Sequence, residues 1–216
     1  MIIAIDGPAG AGKSTVAQAV ARELGLSFLD TGAMYRAVTL VVLQRGLDPA
    51  DETACSAVAA EVHLDFDREG RILVDGQPGE PDVRSETVTR TVSAVSAHFG
   101  VREAVVARQR ELCSQAPEDG GMVVEGRDTT TVVFPDATFK FFLEASASER
   151  ARRRAAQTGR EDEAEVIQRD IARRDRLDTT RAHAPLRKAE DARVIDTDRI
   201  SVDEVVQKIV DVVRGG

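Results

Sequence analysis

A glycine-rich segment close to the start of the chain has the residue types and the spacing of a phosphate-binding loop. The segment IDGPAGAGKST contains Gly7, four intervening residues, and then Gly12, Lys13 and Ser14, which is the P-loop pattern. In such a loop backbone N–H groups converge on phosphate oxygens, the lysine bridges the β- and γ-phosphates, and the hydroxyl binds Mg²⁺. We therefore predict that Lys13 is catalytic and that Ser14 is the metal ligand. The predicted ATP-binding residues are Gly7, Pro8, Ala9, Gly10, Ala11, Gly12, Lys13, Ser14 and Thr15.

Three further stretches carry arginines that suit the phosphate groups of a second ligand. DTGAMYR contains Arg36, and VVEGRD contains Arg127 and Asp128. The third stretch, RRDRLDTTRAHAPL, spaces three charged residues at i, i+4 and i+7, so that one helical face would carry them: Arg174, Asp178 and Arg181. A net-acidic chain that gathers arginines near a P-loop is expected to bind two phosphorylated substrates.

The P-loop needs a strand before it and a helix after it, and the flanking sequence predicts both. Residues 2–5 are a short apolar run, and Val16, Val20 and Leu24 follow at helical spacing before Gly25, where a helix would end. Further strands are predicted at residues 27–30, 122–125, 138–143 and 193–196. Capping boxes at Ser146 and Ser201 predict helix starts. Strands that alternate with helices indicate a parallel sheet covered on both faces, an α/β fold.

One stretch interrupts this alternation. Residues 62–66 and 72–74, joined across 67–70, predict a β-hairpin that ends at residues 76–79. A helix through Val88, Val92 and Val95 follows. We predict that residues 62–100 form an insertion on the parallel core.

Composition narrows the classes of partner and the compartment. The net charge is −8, which argues against a nucleic-acid or membrane partner because both are polyanionic. No apolar run is long enough to span a bilayer, and residues 1–5 lack a basic flank and a cleavage site. Cys55 and Cys113 have no metal-like spacing. We expect a cytoplasmic protein with two reduced thiols.

The chain resembles the bacterial cytidylate kinases, which are P-loop nucleoside monophosphate kinases. The resemblance runs nearly end to end through five separated stretches: IDGPAGAGKST, DTGAMYR, VRSETVTRTVSAVSAHFGVRE, EGRD with TVVFPDA, and RRDRLDTTRAHAPL. It implies a P-loop fold with a five-stranded parallel sheet flanked by helices. It also implies a kinase core at residues 1–61 and 101–216, a nucleoside monophosphate-binding insertion at 62–100, and an arginine-rich lid at about 157–180.

The same resemblance implies roles for individual residues. Thr31, Tyr35 and Arg36 would hold the monophosphate and its sugar, and Arg84 would add positive charge near the acceptor. Arg127 would contact the acceptor phosphate. The cytosine ring would be read by Ser93, Arg102 and Asp128, and the lid set that grips the ribose and the transferring phosphates would be Arg174, Asp178 and Arg181. Thr129 and Thr130 depart from the family, which commonly has an aliphatic residue and glycine there.

The chemistry of the base favours cytosine independently of the resemblance. Cytosine presents an amino donor beside a ring-nitrogen acceptor, whereas uracil presents a carbonyl beside an N–H. The Asp128 carboxylate can accept from the amino group, while Arg102 and Ser93 can donate to the ring acceptors. Uracil would place its carbonyl against the carboxylate.

Simpler structural interpretations stand beside these assignments. The charged face of RRDRLDTTR is also typical of a solvated ion-pair surface, and Asp128 could pair structurally with Arg127. Glu125 and Asp30, each at a predicted strand end, are either outer-sphere carboxylates of Mg²⁺ or ordinary polar strand ends.

The resulting prediction is an ATP- and Mg²⁺-dependent CMP or dCMP kinase that acts as a monomer. The guanine-binding sequence Asn-Lys-x-Asp of GTPase switches is missing from the chain. The alternatives are a kinase for UMP or AMP and a non-catalytic nucleotide-sensing module. A sensor has no need for arginines arranged to bridge two phosphates.

Overall fold

A computed structural model describes residues 1–67, 69–116 and 120–215. The strands are β1 (Ile2–Asp6), β2 (Ser27–Asp30), β3 (Leu64–Phe66), β4 (Ile72–Val74), β5 (Gln77–Pro78), β6 (Met122–Gly126), β7 (Phe139–Glu144) and β8 (Arg193–Asp196). The α-helices are α1 (Lys13–Leu24), α2 (Thr31–Gln44), α3 (Glu52–Glu61), α4 (Glu86–Val95), α5 (Phe99–Ser114), α6 (Ala147–Thr158), α7 (Ala164–Thr180) and α8 (Val202–Gly215).

The predicted five-stranded parallel sheet is confirmed, with strand order β2-β6-β1-β7-β8. β1 lies between β6 and β7, and its last residue, Asp6, is in register with Gly126 on one side and Phe142 on the other. The chain that leaves β6 therefore begins beside the start of the P-loop. The carboxyl edge of such a sheet is where α/β proteins bind their ligands.

The chain is divided into two compact units. The first comprises the described parts of Met1–Phe28, Pro117–Thr180 and Ala184–Gly216. Its main core is built from the apolar residues of β1, β6 and β7 together with one face each of α1 and α8. The almost completely buried residues of this core include Ile3, Ile5, Phe141, Leu143 and Ile209. A smaller apolar cluster joins Ala9 of the P-loop to Ala151 and Ala155 of α6 and to Ile167 and Ile171 of α7.

The second unit comprises the described parts of Leu29–Ala116 together with Arg181–His183. It contains α2 to α5 and an antiparallel sheet of β3, β4 and β5. The hairpin prediction is confirmed, because Leu64 pairs with Val74 and Phe66 with Ile72. Residues 77 and 78, predicted to end the hairpin, form the third strand instead. Of the predicted connecting residues 67–70, Arg68 lies outside the described residues.

Helix starts follow local capping chemistry. The predicted capping box at Ser201 is present, because Ser201 and Glu204 bond reciprocally. At Ser146 only half of the predicted box forms: the Ser146 hydroxyl accepts from the Glu149 N–H at 3.2 Å, but the Ser146 N–H donates to Asp198 Oδ1 at 2.7 Å. Asp30 caps α2 by accepting from the Ala33 N–H at 2.9 Å. Gly25 ends α1 in the left-handed conformation, as the sequence predicts.

Helix α7 is too short to carry all three charged residues that the sequence placed on one helical face. α7 ends at Thr180, so Arg181 does not share a helical face with Arg174 and Asp178. Pro185 restricts the backbone of the residue before it, and Ala184 has a positive φ of 50°. The N–H of Leu186 bonds back to the carbonyl oxygen of Asp178 at 2.8 Å. The chain therefore turns back over the end of the helix instead of continuing it.

None of the helices in the described ranges has the length and apolar character that crossing a membrane requires.

Candidate active site

The P-loop has a backbone that only glycine tolerates at its key positions. Gly7 has a φ of 153°, and a Cβ there would collide with the carbonyl oxygen of Leu143 in β7. Gly12 has a φ of 86° and is the residue that precedes α1. These two conformations turn the chain sharply between β1 and the amino terminus of α1, where helix N–H groups attract anions.

Lys13 is buried in this loop, and its surroundings disfavour its charge. Its Nζ donates to the carbonyl oxygen of Pro8 at 3.0 Å. Burial, together with the charges of Arg127 and Arg174, lowers the pKa of Lys13 to about 7, although Glu125 and Asp6 partly oppose them. The ammonium group is therefore held in a position that an added anion would stabilise.

The Ser14 hydroxyl and the Glu125 carboxylate are joined by a hydrogen bond. The Ser14 hydroxyl donates to Glu125 Oε1 at 2.6 Å, and Glu125 lies on β6 with 5% of its surface exposed. Hydroxyl and carboxylate oxygens are the ligands that Mg²⁺ prefers. The pair fits the predicted metal-binding role of Ser14 and the outer-sphere alternative for Glu125.

Arg127 is held on both sides. Its Nε donates to Asp178 Oδ2 at 2.9 Å, and its NH1 donates to the carbonyl oxygen of Gly7 at 2.9 Å. Burial opposes its charge, but the carboxylates of Asp178, Glu125 and Asp175 together outweigh burial and raise the pKa of Arg127. Asp178, on α7, is therefore the partner of Arg127. The pairing of Arg127 with Asp128 considered above stays an alternative from the sequence.

Arg174, on the same helix as Asp178, carries a charge that the protein compensates poorly. Its Nε is buried and makes no hydrogen bond to any described residue. Burial and the charge of Arg127 lower the pKa of Arg174 to about 10, although Asp178 and Asp175 oppose them. Arg174 stays charged at neutral pH, so the free donor and the neighbouring cations Lys13 and Arg127 favour an anion at this point.

Two residues attach α6 and α7 to the P-loop. Asp175 of α7 accepts from the Ala9 N–H at 3.1 Å, and Arg150 of α6 donates to the Ala9 carbonyl oxygen at 2.8 Å. Arg150 also bonds Asp175 at 2.5 Å. Both backbone groups of one P-loop residue are thereby bound, and this contact places α7, and with it Arg174, against the loop.

The segment after β6 is a five-residue π-helical turn, Thr129–Val133, which begins directly after Asp128. The carbonyl oxygen of Asp128 accepts from the N–H groups of Val132 and Val133 at 2.9 and 3.2 Å. The Asp128 side chain is buried at the carboxyl end of β6. Turns of this type are frequent at functional sites.

The second unit contains the other predicted acceptor-binding residues. The Arg102 guanidinium lies 5.3 Å from the centre of the Tyr35 ring, and Ser93 is buried on α4. Arg36 donates to the Thr89 hydroxyl at 2.8 Å, and Arg84 bonds both Glu80 and Asp30. Thr31 is the first residue of α2. Arg181 belongs to this unit too.

The structure thus brings together, in the first unit, Lys13, Ser14, Arg127, Arg174 and Asp178. The residues that sequence reasoning missed are Asp6, Arg150 and Asp175. Asp6 directly precedes Gly7 of the P-loop and Asp175 directly follows Arg174, so their position beside predicted site residues was the available sequence signal. No sequence signal pointed to Arg150, because an arginine on an amphipathic helix is common.

Comparison with known proteins gives a consistent result. The family model described as cytidylate kinase matches residues 3–215. A protein named cytidylate kinase from Rhodococcus opacus (strain B4) is 47% identical over 219 residues, which cover 99% of this chain and 94% of that protein. One of the same name from Pelotomaculum thermopropionicum (strain DSM 13744 / JCM 10971 / SI) is 48% identical over 222 residues, covering 99% of this chain and 96% of that protein.

Among solved structures, an uncharacterized protein from Eubacterium ventriosum ATCC 27560 is similar with a TM-score of 0.55 and 12% identity, covering 100% of this chain and 99% of that one. A likeness at this identity concerns the fold alone.

Proposed function

The chain belongs to the cytidylate kinase family, and from that premise we propose that it transfers the γ-phosphoryl group of ATP to CMP or dCMP, giving CDP or dCDP. The proposal rests on one observation: Lys13, Arg127 and Arg174 converge beside the P-loop. The surrounding carboxylates compensate the charges of Lys13 and Arg174 only in part, because the pKa of each is lowered. A site that must neutralise phosphate oxygens during transfer needs this arrangement.

The residues act by positioning and by charge. The acceptor is already a phosphate oxygen, so the transfer needs no general base and no covalent intermediate. The P-loop holds the donor phosphates, Lys13 and Arg174 stabilise the migrating phosphoryl group, and Arg127 contacts the acceptor phosphate. Asp178 orients Arg127 through their hydrogen bond.

Mg²⁺ is part of the proposal because Ser14 and Glu125 offer hard oxygen ligands at the start of α1. When bound, the ion would supply positive charge to the nucleotide phosphates. Ser14 is the proposed ligand, and Glu125 is proposed to act on the ion through water or through the Ser14 hydroxyl.

The remaining assignments stay proposals. Asp128 selects cytosine by accepting from its amino group, and Ser93 and Arg102 contribute to base recognition. Thr31, Tyr35, Arg36 and Arg84 bind the monophosphate and its sugar, and Arg181 completes the phosphate contacts. Residues 62–100 are proposed as the nucleoside monophosphate-binding insertion. The monomeric state, the cytoplasmic location and the lack of nucleic-acid or membrane partners remain predictions from the sequence.

A coupled assay of ADP release tests the proposed activity directly. The wild-type protein is supplied with ATP, Mg²⁺ and CMP, dCMP, UMP or AMP in turn. The proposal requires that CMP or dCMP gives the highest kcat/KM. Higher efficiency with UMP or AMP would identify a different monophosphate kinase, and ATP binding without any turnover would identify the sensing module.

Asp128→Asn should narrow the preference for CMP over UMP by about tenfold or more. The amide can turn a donor toward the uracil carbonyl, and it removes the repulsion between that carbonyl and the carboxylate. The measurement is kcat/KM for both substrates with wild type and variant. The matched control is Asp136→Asn, because Asp136 is exposed in the same segment. Equal losses with CMP and UMP would assign Asp128 a structural role in its turn.

ATP binding should take up a proton, in an amount that rises with pH. Because the pKa of Lys13 is about 7 in the free protein, the lysine is mostly neutral above pH 7 and must become charged beside the phosphates. We expect little uptake at pH 6 and uptake that approaches one proton at pH 8, because the lysine is mostly charged below its pKa and mostly neutral above it. Calorimetric titration with ATP and Mg²⁺ in two buffers of different ionisation enthalpy measures it.

The affinity for ATP should correspondingly fall as pH rises above 7. Lys13→Met is the control, since it has no group to titrate and its uptake should not rise with pH. Uptake that is the same at pH 6 and pH 8 in the wild type would contradict the lowered pKa.

A further inference from the structure

The carboxylate of Asp6 makes an unusual set of contacts just before the P-loop. It accepts four hydrogen bonds from two consecutive threonines. Oδ1 accepts from the N–H and the hydroxyl of Thr129 at 3.0 and 2.8 Å, and Oδ2 accepts from the N–H and the hydroxyl of Thr130 at 2.7 and 2.7 Å. Each oxygen therefore binds one backbone and one side-chain donor.

All three residues are out of contact with water, because Asp6 and Thr129 have 0% and Thr130 has 1% of their surface exposed. A buried carboxylate is stable only when its oxygens are satisfied, and these four donors satisfy them. Because water cannot replace a lost donor in so closed a site, the contact fixes the start of the π-helical turn firmly.

The two hydroxyl bonds are a feature of this sequence. Thr129 and Thr130 stand where the resemblance leads one to expect an aliphatic residue and glycine, neither of which has a hydroxyl. The backbone N–H bonds could be made by any residues other than proline, but the two side-chain bonds require hydroxyls. They strengthen the contact at the position that immediately follows Asp128.

We propose that Asp6, Thr129 and Thr130 form a positioning contact that sets the place of the Asp128 carboxylate and thereby the selectivity for cytosine. The inference rests on the proposed function and deepens it. Asp128 is held from both directions: β6 fixes the chain before it, and the bonds to Asp6 fix the two residues after it. None of the three residues needs to touch the substrate for this role.

The placement of the backbone at Asp128 should affect the selection of the base more than it affects the binding of ATP. Base discrimination depends on the position of one carboxylate relative to an amino group, and small misplacements in such contacts cost large factors in rate. Replacing Asp6 itself would be ambiguous, since the Asp6 charge also raises the pKa of Lys13. The informative changes are therefore in the threonines, which leave that charge in place.

The double variant Thr129→Val/Thr130→Val removes both hydroxyl donors and keeps both N–H donors. We expect the CMP-to-UMP ratio of kcat/KM to narrow by about fivefold to tenfold, mainly through a higher KM for CMP, with the KM for ATP within about twofold of wild type. Thr129→Ser/Thr130→Ser retains all four donors and should keep the wild-type ratio.

The run of three threonines provides a matched control. The Thr131 hydroxyl is buried and makes no hydrogen bond within the described ranges, so Thr131→Val removes a hydroxyl without removing a bond. This variant should keep the wild-type ratio. Melting temperatures of all variants are measured alongside. If the double valine variant does not fold, the single variants Thr129→Val and Thr130→Val, each lacking one bond, are compared by the same ratio.

The outcomes separate this proposal from the proposed function. Wild-type turnover of CMP, with a ratio that narrows in the valine variants and not in the serine or Thr131→Val variants, supports positioning. Wild-type turnover of CMP with the same ratio in every variant overturns positioning alone, even if the valine variants melt at lower temperature. Failure of the wild type to phosphorylate CMP or dCMP overturns the proposed function instead.

Discussion

An enzyme that carries methionine or alanine in place of Lys13 should phosphorylate CMP at least about a hundredfold more slowly than the wild type. The lysine Nζ is the only side-chain cation within the P-loop sequence itself, and it lies where the phosphates of ATP are proposed to bind. Methionine keeps the length of the buried stem and removes the charge. The coupled assay at saturating ATP and CMP measures the loss of kcat.

The same substitution should not destabilise the protein at pH 7. The pKa of Lys13 in the folded protein, about 7, lies below its ordinary value of 10.5, so folding disfavours the charged form. This cost to folding develops as pH falls from 10.5 to 7 and is fully present below 7. Lys13→Met lacks this cost, so its stability relative to the wild type should be greater at pH 7 than at pH 9.

Thermal melts of wild type and Lys13→Met at the two pH values test this combination. A variant that is inactive and also much less stable at pH 7 would indicate that Lys13 supports the fold. A folded variant with near-normal turnover would remove Lys13 from the catalytic machinery. Loss of activity together with unchanged or increased stability is the result that the geometry requires.

Replacing Arg174 by alanine should lower kcat by about two to three orders of magnitude, with a smaller effect on the KM for CMP. The buried Nε has no hydrogen-bond partner among the described residues, and Arg127 and burial both disfavour the charge. The free protein thus gains little from this guanidinium group. We expect the Arg174 guanidinium group to interact favourably with the transferring phosphoryl group, and most strongly in the transition state.

Two further variants sharpen that experiment. Arg174→Lys keeps one positive charge and loses the planar, bidentate geometry, so it should restore little of the lost rate. Arg176→Ala removes an exposed arginine from the same helix and should leave turnover unchanged. Unaltered kcat with weaker ATP binding in Arg174→Ala would assign Arg174 to ground-state binding.

Much of the architecture and of the P-loop was determined by local sequence. The strand before the loop, the glycines within it and the ends of α1 depend on residues only a few positions apart, so hydrophobic periodicity, glycine conformation and capping identify them. The helix starts after Ser146 and Ser201 were predicted for the same reason. The identity of the acceptor came from the base chemistry of Asp128 and from the resemblance of several separated motifs.

The tertiary structure alone decided how the charged residues of the candidate site are paired. The spacing of Arg174, Asp178 and Arg181 predicted one shared helical face, but α7 ends at Thr180 and Asp178 binds Arg127 instead. The lowered pKa of Lys13, the attachment of Ala9 by Arg150 and Asp175, and the four bonds to Asp6 also join residues far apart in the chain. Such contacts depend on burial and on the register of neighbouring strands, and no local pattern encodes either, because both arise only when the sheet assembles and water is excluded.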